Sequence, residues 1–435
     1  MRLPAAIVLV ALLVRVVVVV ADTPYRPAND SLDYDRYARS IAAGDGYPES
    51  GTLLYGGPTA LRPPGYPVLL GAVYAASGDS VTVGRVVGAV LGALAVLLIY
   101  LVARTVWGRR TALFAAALAA VFPPLVLLSK ELLSESLFIV LELAAILAVF
   151  KFRGSGGLLR WALAAGALCG LASLTRNVGL ALVLPIALGL WSGAARLRAA
   201  SLAAPAAMLA TVLLVLAPWA IRNEVEFGRF TPISSGTGFT LAGTYNHQSF
   251  EQGDTHGAWR TPQVLPQFVA LFTTRGVDEG TEDSILRRRA LDFAWEHPSY
   301  VAEASAWNLL RMFELSGGSV VGTRGEPIGE RGIGNEDPVA ERVGLGIAVL
   351  LAAVGVAAIV TSRRRARRTG ERPVPGGPWF MWLIPILTLL TTVPLGGLPR
   401  YRLAVDPFIL LLAGVGLAWL AARAASVGGP EKATA

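Results

Sequence analysis

Cysteine and charge are both scarce in this sequence of 435 residues. The single cysteine, Cys169, lies inside an apolar stretch, which excludes an intramolecular disulfide framework and a cysteine-ligated metal centre. Only 16% of the residues are charged, whereas 54% are hydrophobic. A soluble domain of this length needs a more charged surface, so the composition places the chain in a lipid bilayer.

Long apolar stretches recur along the chain, each long enough to cross about 30 Å of hydrocarbon. They are apolar all round, which predicts helices and excludes the alternating pattern of barrel strands. The sequence therefore predicts an all-α polytopic membrane protein with about ten transmembrane helices. The predicted spans are 3–21, 82–104, 111–128, 132–150, 158–174, 177–191, 200–220, 343–361, 379–396 and 403–423.

The first apolar block resembles a cleavable signal peptide ending near Ala21, but it is longer than the usual apolar core, and we predict a retained helix. The termini and the loops on their side of the membrane hold 17 basic residues against two acidic ones. By the positive-inside rule this side is cytoplasmic, so the chain is predicted to lie in the cytoplasmic membrane. The basic pI is then explained by the orientation of the chain in the membrane, and it indicates no nucleic-acid partner.

Two segments, 22–81 and 222–342, are too polar to span the membrane, and both fall on the outer side. The predicted organisation is an N-terminal transmembrane module (1–221) containing an outer catalytic loop (22–81), a small extracytoplasmic domain (222–342) with a helix at 281–295, and C-terminal helices (343–435). The absence of an internal sequence repeat weighs against inverted-repeat transporter folds.

Most of the unusual polar residues fall at the outer membrane boundary, where ionisable groups are costly to desolvate. Each has a structural explanation by itself: Arg176 or Arg222 could snorkel from a helix end, and Asp35 could pair with Arg36 or Arg39. Together, however, the outer arginines run against the positive-inside bias. The set comprises Asp30, Asp33, Asp35, Arg62, Lys130, Glu131, Glu135, Arg176, Asn177, Arg222, Asn223, Arg400, Tyr401 and Arg402.

Glycosyl transfer from a lipid phosphate requires this inventory of side chains. A carboxylate can take the proton of the acceptor hydroxyl as that hydroxyl attacks the anomeric carbon. Guanidinium groups can bind the departing phosphate through bidentate, charge-assisted hydrogen bonds in a groove of low dielectric constant. Carboxylates and arginines gathered at the outer boundary therefore indicate such a transferase.

The acidic cluster has a local setting of its own. After Asp30 and Ser31, aromatic and apolar residues recur at helical spacing until Gly44 or Gly46, which predicts a short helix. Asp30 and Asp33 would lie at its positive end. The alternative is that Asp30 serves only as a helix cap, which contributes about 1 kcal/mol.

The ordered motifs resemble the GT-C membrane glycosyltransferases, specifically the family 39 group of protein O-mannosyltransferases and aminoarabinose transferases. The resemblance extends through most of the chain. The motifs are Asp30-Ser-Leu-Asp-Tyr-Asp-Arg-Tyr-Ala38, Gly44-Asp-Gly-Tyr47, Pro58-Thr-Ala-Leu-Arg-Pro-Pro-Gly-Tyr-Pro67, Leu133-Ser-Glu-Ser-Leu-Phe138, Leu174-Thr-Arg-Asn177, Pro218-Trp-Ala-Ile-Arg-Asn223, Phe227-Gly-Arg-Phe-Thr-Pro232 and Arg400-Tyr-Arg402.

The resemblance implies a GT-C helical bundle and a catalytic acid in the first outer loop. Asp30 matches that acid and Tyr34 matches a tyrosine a few residues on, but Ser31 stands where the family has a second acid. Either Asp30 or Asp33 is therefore the expected base. The Arg-Pro-Pro segment nominates Arg62 for the lipid phosphate, and the position of Arg400, Tyr401 and Arg402 before the final span nominates them next, with Arg222. Supporting roles fall to Tyr34, Asp35, Glu135, Lys130, Arg176 and Asn223.

The resemblance implies no required cofactor, although the aspartate cluster could hold Mg²⁺ or Mn²⁺. The histidines, His247, His256 and His297, lack the spacing of a zinc site.

The predicted function is therefore an inverting transferase. It would move a hexose or pentose from a polyprenyl-phosphate donor to a protein, glycan or lipid acceptor on the outer face. Two alternatives stay open. A transporter or flippase of lipid-linked sugars would use ionisable groups deep in the spans, for which Arg15, Arg85 and Glu142 are the candidates. A non-catalytic assembly subunit would use its arginines only to bind anionic headgroups.

Overall fold

The computed structural model describes residues 2–191, 199–251, 257–317, 320–321, 327–328 and 339–427. His256 and most of the stretch between 318 and 338 lie outside these ranges. The described chain is predominantly helical. Its α-helices are α1 (Arg2–Ala21), α2 (Asp30–Ala43), α3 (Gly65–Ser77), α4 (Val81–Trp107), α5 (Arg109–Val121), α6 (Pro123–Leu127), α7 (Glu135–Gly154), α8 (Leu159–Thr175), α9 (Leu180–Trp191), α10 (Ala199–Phe227), α11 (Thr237–Thr244), α12 (His247–Glu251), α13 (Val269–Thr273), α14 (Glu279–Glu296), α15 (Pro298–Met312), α16 (Val339–Thr369), α17 (Trp379–Thr392) and α18 (Asp406–Val427).

A helix lies at each of the ten predicted spans, which confirms the all-α membrane fold. Five described helices, α1, α4, α10, α16 and α18, are long and apolar enough to cross a membrane, and the bent pair α5–α6 forms a sixth if it is one span. Helices α8, α9 and α17 are shorter, and α7 carries charged residues at both ends as well as Glu142. The number of ten crossings therefore stays a prediction.

The break between α5 and α6 has a clear physical cause. Pro123 and Pro124 have no N–H to continue the hydrogen-bond ladder, so carbonyls at the end of α5 lack helical partners. The fully buried Arg15 of α1 donates to two of them, those of Ala119 and Ala120, at 3.1 and 3.0 Å. The chain bends by 57° at this break and continues through a 3₁₀ turn, Leu128–Lys130.

Helix α2 carries the acidic cluster and confirms the predicted short helix. Asn29 occupies the cap position, so Asp30 is the first helical residue and its side chain is free for other partners. Gly44 ends the helix in the left-handed conformation, with φ of 88°, which glycine adopts without steric cost. Helix α3 packs against α2, and the close approach of Gly65 to Leu174 and Thr175 at the end of α8 leaves no room for a Cβ atom.

The described apolar side chains form two separate cores. The larger is built mainly from the long apolar helices, and the smaller lies among α11, α13, α14 and α15 with Leu53 of the first outer segment. The smaller unit also holds strands β1 (Trp259–Arg260), β2 (Val320–Val321) and β3 (Pro327–Ile328). Strand β1 pairs parallel to β2, with Trp259 opposite Val320, and β2 pairs antiparallel to β3, with Val320 opposite Ile328. Helix α14 confirms the helix predicted at 281–295.

The two outer segments meet at an acidic joint formed by Glu279, Glu282 and Asp283 at the start of α14. The Glu279 carboxylate accepts hydrogen bonds from the hydroxyls of Ser50 and Ser235, at 2.5 and 2.7 Å, and from the backbone N–H of Ala60 at 3.0 Å. The two segments therefore lie on the same side of the helical bundle, where they enclose the cavity described next.

Candidate active site

A cavity of about 460 Å³ lies where α2, the Arg62–Pro63 loop, the end of α8 and the outer domain meet. Two of its lining residues are carboxylates, Asp30 and Glu131, and basic residues face them. The lining comprises Tyr25, Arg26, Ala28, Asn29, Asp30, Ser31, Tyr34, Leu61, Arg62, Pro63, Glu131, Leu133, Thr175, Arg176, Asn177, Val178, Ser234, Gly236, Phe239, Thr240, Trp259, Thr392, Leu395, Leu398, Arg400 and Tyr401.

Asp30 lies between two arginines from distant parts of the chain. Arg62 Nη2 donates to Asp30 Oδ1, and Arg400 Nη2 donates to Asp30 Oδ2. Burial alone would raise the pKa of Asp30, but the positive charges of Arg400 and Arg62 outweigh it and hold the pKa well below its usual range. The carboxylate is therefore ionised, and each of its oxygens faces a guanidinium group.

Asp33, one helical turn further along α2, contacts only one of these arginines. Its Oδ2 accepts from Arg62 Nε at 3.2 Å and from Arg62 Nη2 at 2.8 Å. Asp33 does not line the cavity, whereas Asp30 does. The structure thus separates the two candidate bases by position, with Asp30 on the cavity wall and Asp33 behind Arg62.

Arg400 is buried and retains unused hydrogen-bonding capacity. Its Nε has no hydrogen-bond partner among the described residues, and it lies 3.9 Å from Glu135 Oε1. Glu135 forms its closer ion pair with Arg176 Nη1, at 2.6 Å. Arg176 lines the cavity beside Tyr401, with its guanidinium carbon 6.0 Å from the centre of that ring. Three arginines therefore point charged groups toward one space.

Tyr34 connects these groups to the second outer hairpin. Its hydroxyl donates to Ser134 Oγ at 2.9 Å, and the same hydroxyl group of Ser134 accepts from Arg176 at 3.1 Å. The Arg62 guanidinium lies over the Tyr34 ring, 5.6 Å from its centre. Tyr34 thus contacts Arg62 directly and Arg176 through the Ser134 hydroxyl.

Arg402, predicted as a donor-binding residue, points away from the cavity. It is almost fully buried, donates to Asp406 Oδ1 at 2.8 Å, and donates to the Met312 carbonyl at 2.6 Å. Because Arg400 and Arg402 lie on a 3₁₀ helix, Pro399–Ala404, their side chains leave the backbone in different directions. This placement gives Arg402 a role in packing the final helix.

Other predicted residues also form contacts behind the cavity. Asp35 accepts from the Tyr74 hydroxyl at 2.7 Å and from Arg39 at 2.9 Å. Lys130 is buried, with its Nζ 3.8 Å from Asp22.

Arg222 and Asn223 lie at the end of α10 and tie it to the outer segments. Arg222 donates to the Thr59 carbonyl at 2.9 Å, and Asn223 donates to the Thr231 carbonyl at 2.8 Å. Neither side chain lines the cavity.

The residues proposed for deep transport roles have local partners, with one exception. Arg15 binds the carbonyls at the α5–α6 break, and Arg85 forms an ion pair with Asp22. Both carboxylate oxygens of Glu142 are buried without a hydrogen-bond partner in the part of the chain that the structure describes. It does not line the cavity.

The described part of the chain shows no metal site at the aspartate cluster. Asp30 and Asp33 are both bound to guanidinium groups, and the described residues contain no group of three histidine, cysteine or acidic side chains placed to hold a metal ion. His247 and His297 instead pack against Phe293.

Tyr25 is a cavity residue that sequence reasoning missed, and Glu131 is one that it noted without assigning a role. Tyr25 has no motif around it, and its position becomes informative only because its hydroxyl donates to Glu131 Oε2 at 2.6 Å. The signal for Glu131 was its place in the short polar hairpin.

Residues 61–221 match the family model described as dolichyl-phosphate-mannose-protein mannosyltransferase. Among solved structures, the archaeal oligosaccharyltransferase AglB from Archaeoglobus fulgidus, in complex with an inhibitory peptide and a dolichol-phosphate, aligns over 100% of this chain and 53% of that chain, with 16% identity and a TM-score of 0.54. The crystal structure of the Archaeoglobus fulgidus oligosaccharyltransferase in the apo form aligns over 99% of this chain and 53% of that one, with 15% identity and a TM-score of 0.52.

The chain has the GT-C fold. The predicted resemblance is thereby confirmed, and the chain spans about half the length of these oligosaccharyltransferases. The crystal structure of ArnT from Cupriavidus metallidurans bound to undecaprenyl phosphate aligns over 97% of this chain and 79% of that chain, with 18% identity and a TM-score of 0.42. Comparison with curated protein sequences gives no match.

The family match covers only part of the candidate site. It includes Arg62, Glu135 and Arg176, but it begins after Asp30 and Asp33 and ends well before Arg400. The assignment of Asp30 and Arg400 to the cavity, and of Asp33 to a position behind Arg62, therefore rests on the geometry of this chain.

Proposed function

We propose that this GT-C protein is an inverting glycosyltransferase that moves a sugar from a polyprenyl-phosphate donor to an acceptor hydroxyl on the outer face of the cytoplasmic membrane. The observation that carries the proposal is the position of Asp30, an ionised carboxylate on the cavity wall held between Arg62 and Arg400. A base and two phosphate-binding groups are thus within contact of one another.

The two arginines give the site a way to exchange one anion for another. A lipid phosphate entering the cavity would bind the guanidinium groups through charge-assisted hydrogen bonds, for which Arg400 Nε is available. Asp30 would then share or lose these partners, so its pKa would rise toward the range of an effective base. Donor binding and activation of the base are therefore coupled.

The proposed reaction is a single displacement. Asp30 takes the proton from the acceptor hydroxyl while the hydroxyl oxygen forms a bond to the anomeric carbon. The bond between that carbon and the phosphate oxygen breaks, and its electron pair leaves with the lipid phosphate. Arg62 and Arg400 stabilise the charge that develops there. Attack from the face opposite the leaving group inverts the anomeric configuration.

Asp30 is the better candidate for the base because it lines the cavity and Asp33 does not. Asp33 accepts two hydrogen bonds from Arg62, which fixes the orientation of that guanidinium. We therefore assign Asp33 a positioning role. The acceptor would enter beside the outer domain, whose Phe239, Thr240 and Trp259 form part of the wall.

The decisive experiment is replacement of Asp30 by Asn in cells that lack the native protein. The shape of the side chain is kept while the base is removed, so we expect envelope glycan transfer to fall on the order of 10³-fold. Mass analysis of envelope glycans measures the loss and identifies the sugar and acceptor. The matched control is Arg39→Gln, which changes an α2 residue outside the cavity.

Normal transfer by the Asp30→Asn protein would overturn the proposal. Comparable amounts of the variant and the wild type in the membrane establish that the loss is chemical. Movement of a labelled lipid-linked sugar across liposomes without any modified acceptor would instead support a flippase.

A further inference from the structure

The cavity contains a second carboxylate that the proposed reaction does not use. Glu131 lines the same space as Asp30 and adopts an extended backbone conformation between the 3₁₀ turn at Leu128–Lys130 and α7. It comes from the second outer hairpin, whereas Asp30 comes from the first outer segment. The two carboxylates therefore reach the cavity from separate elements.

The partners of Glu131 are neutral. Its Oε2 accepts from the Tyr25 hydroxyl at 2.6 Å and from Ser31 Oγ at 3.2 Å. No described residue donates a hydrogen bond to Oε1, and no described cation forms an ion pair with the carboxylate. Asp30, Asp33 and Glu135, in contrast, each contact an arginine. Glu131 thus retains accepting capacity toward the cavity.

The surroundings of Glu131 hold it in place. Arg85 donates to the carbonyl of Lys130, the preceding residue, and its guanidinium carbon lies 4.1 Å from the centre of the Tyr25 ring. Burial and the Glu131 carboxylate raise the pKa of Tyr25 above its usual value, which keeps the phenol protonated as a donor. One arginine therefore fixes both the backbone and the hydrogen-bonding partner of Glu131.

Glu131 shares the cavity with the proposed phosphate site and is linked to it through Ser31. Its partner Ser31 is the chain neighbour of Asp30, whose carboxylate touches both phosphate-binding arginines. A sugar attached to that phosphate must occupy adjacent space in the cavity. A carboxylate accepts charge-assisted hydrogen bonds from sugar hydroxyls, and a substrate lacking the matching hydroxyl leaves the charge unpaired.

We propose that Glu131 binds hydroxyl groups of the donor sugar and thereby determines which lipid-linked sugar the enzyme accepts. Tyr25 is the positioning residue that holds the carboxylate. The inference rests on the proposed function, because it assumes that the lipid phosphate binds Arg62 and Arg400. It adds a specificity-determining residue to that site.

The test compares two ligands on the purified full-length protein in nanodiscs. One is a short-chain polyprenyl phosphate, and the other is the same lipid carrying a hexose or pentose from a small panel. Calorimetry gives the ratio of the affinities. We expect the wild type to prefer at least one sugar-bearing lipid, and Glu131→Gln to reduce that preference about tenfold or more.

A loss of affinity for the sugar-bearing lipid without a loss of affinity for the bare lipid phosphate distinguishes sugar binding from general damage to the protein. Loss of a negative charge near the arginines should leave binding of the bare lipid phosphate unchanged or stronger. Tyr25→Phe should reduce the sugar preference by a smaller factor, because the carboxylate stays but loses one donor. Glu142→Gln, which replaces a buried carboxyl outside the cavity, is the matched control.

An unchanged sugar preference in Glu131→Gln would overturn the inference while leaving the proposed function intact. A wild-type protein that binds the bare lipid phosphate but prefers no sugar-bearing lipid would also overturn it. In transfer assays, so would a Glu131→Gln protein whose only change is a higher KM for the acceptor. Failure of the wild type to bind either lipid would instead contradict the proposed function itself.

Discussion

The cavity and the acidic joint both contain buried acidic side chains, but the protein neutralises them in different ways. In the cavity, Asp30 is matched by two arginines. In the joint, Glu279 and Glu282 accept hydrogen bonds from neutral donors, including Ser50 and Thr52. Burial and the nearby Glu279 charge raise the pKa of Glu282 to about 8.

The difference shows what each environment is suited to do. Guanidinium groups keep a buried carboxylate ionised, and they can exchange their hydrogen bonds to it for hydrogen bonds to an incoming anion. The carboxylate is then available to act as a base. At Glu282, burial and the charge of Glu279 outweigh the neutral donor, so this carboxyl is retained as an acid near neutral pH and serves as a structural contact. The same residue type is therefore chemically available in the cavity and structurally committed in the joint.

Replacement of both arginines that contact Asp30 is expected to have the largest effect on the contrast between the cavity and the joint. In the double variant Arg62→Gln, Arg400→Gln, the lipid phosphate loses both charge-assisted contacts, and transfer should fall by at least on the order of 10³-fold. Transfer rates and binding of bare polyprenyl phosphate should decrease together. The control is Arg39→Gln, Arg229→Gln, which removes two arginines of the outer segments that do not line the cavity. Undiminished transfer in the cavity variant would favour a non-catalytic subunit that binds headgroups.

Replacement of Asp33 by Asn sharpens the distinction between a base and a positioning residue. Arg62 would lose a charged partner but keep Asp30, so transfer should fall only about tenfold. The pH dependence of kcat should keep its wild-type form because the base is retained. Parallel measurements on Asp30→Asn decide the assignment: complete loss in Asp33→Asn with substantial activity in Asp30→Asn would make Asp33 the base.

The smallest effect is expected in the joint, for stability and not for activity. Glu282 is held neutral in the folded protein but ionises near its ordinary pKa when unfolded, so its contribution to stability is complete below about pH 4.5 and is lost as the pH rises through about 8. Glu282→Gln mimics the protonated acid. It should raise the Tm by a few degrees near pH 8 and flatten the decline of Tm between pH 5 and 8.

Thermal unfolding followed across this pH range provides the test. Ser284→Ala, on an adjacent α14 residue whose hydroxyl lies outside the joint, is the control. A lower Tm for Glu282→Gln at pH 8, with an unchanged pH slope, would show that the joint requires the ionised carboxylate.

Local features of the fold were predictable from the sequence because they depend on neighbouring residues. The apolar stretches identified the long helices, and the spacing after Asp30 with the glycine at 44 identified α2 and its end. The helix at 281–295 followed from the same kind of local pattern and is present as α14. Helical periodicity and capping operate over a few residues, so they can be read from the sequence directly.

The candidate site was predictable only as an inventory. The sequence nominated Asp30, Asp33, Arg62 and Arg400. However, it made Arg400 and Arg402 equally good candidates for binding the lipid phosphate. The structure places Arg400 on Asp30 and turns Arg402 toward Asp406. Side-chain direction on a 3₁₀ helix depends on the packing around it, which no local pattern of charge reveals.

The sequence by itself determined that this chain is a helical membrane protein and which polar residues fall in the segments between the apolar stretches, because hydrophobic length and charge distribution are properties of the chain alone. Only the tertiary structure decided that Arg400 binds the carboxylate of Asp30, 370 positions earlier in the chain, and that Asp33 lies behind Arg62. It also decided that Glu131 lines the cavity without an ion pair to any described residue. Such contacts depend on how distant helices pack, so their energies arise only once the bundle and the outer domain have formed.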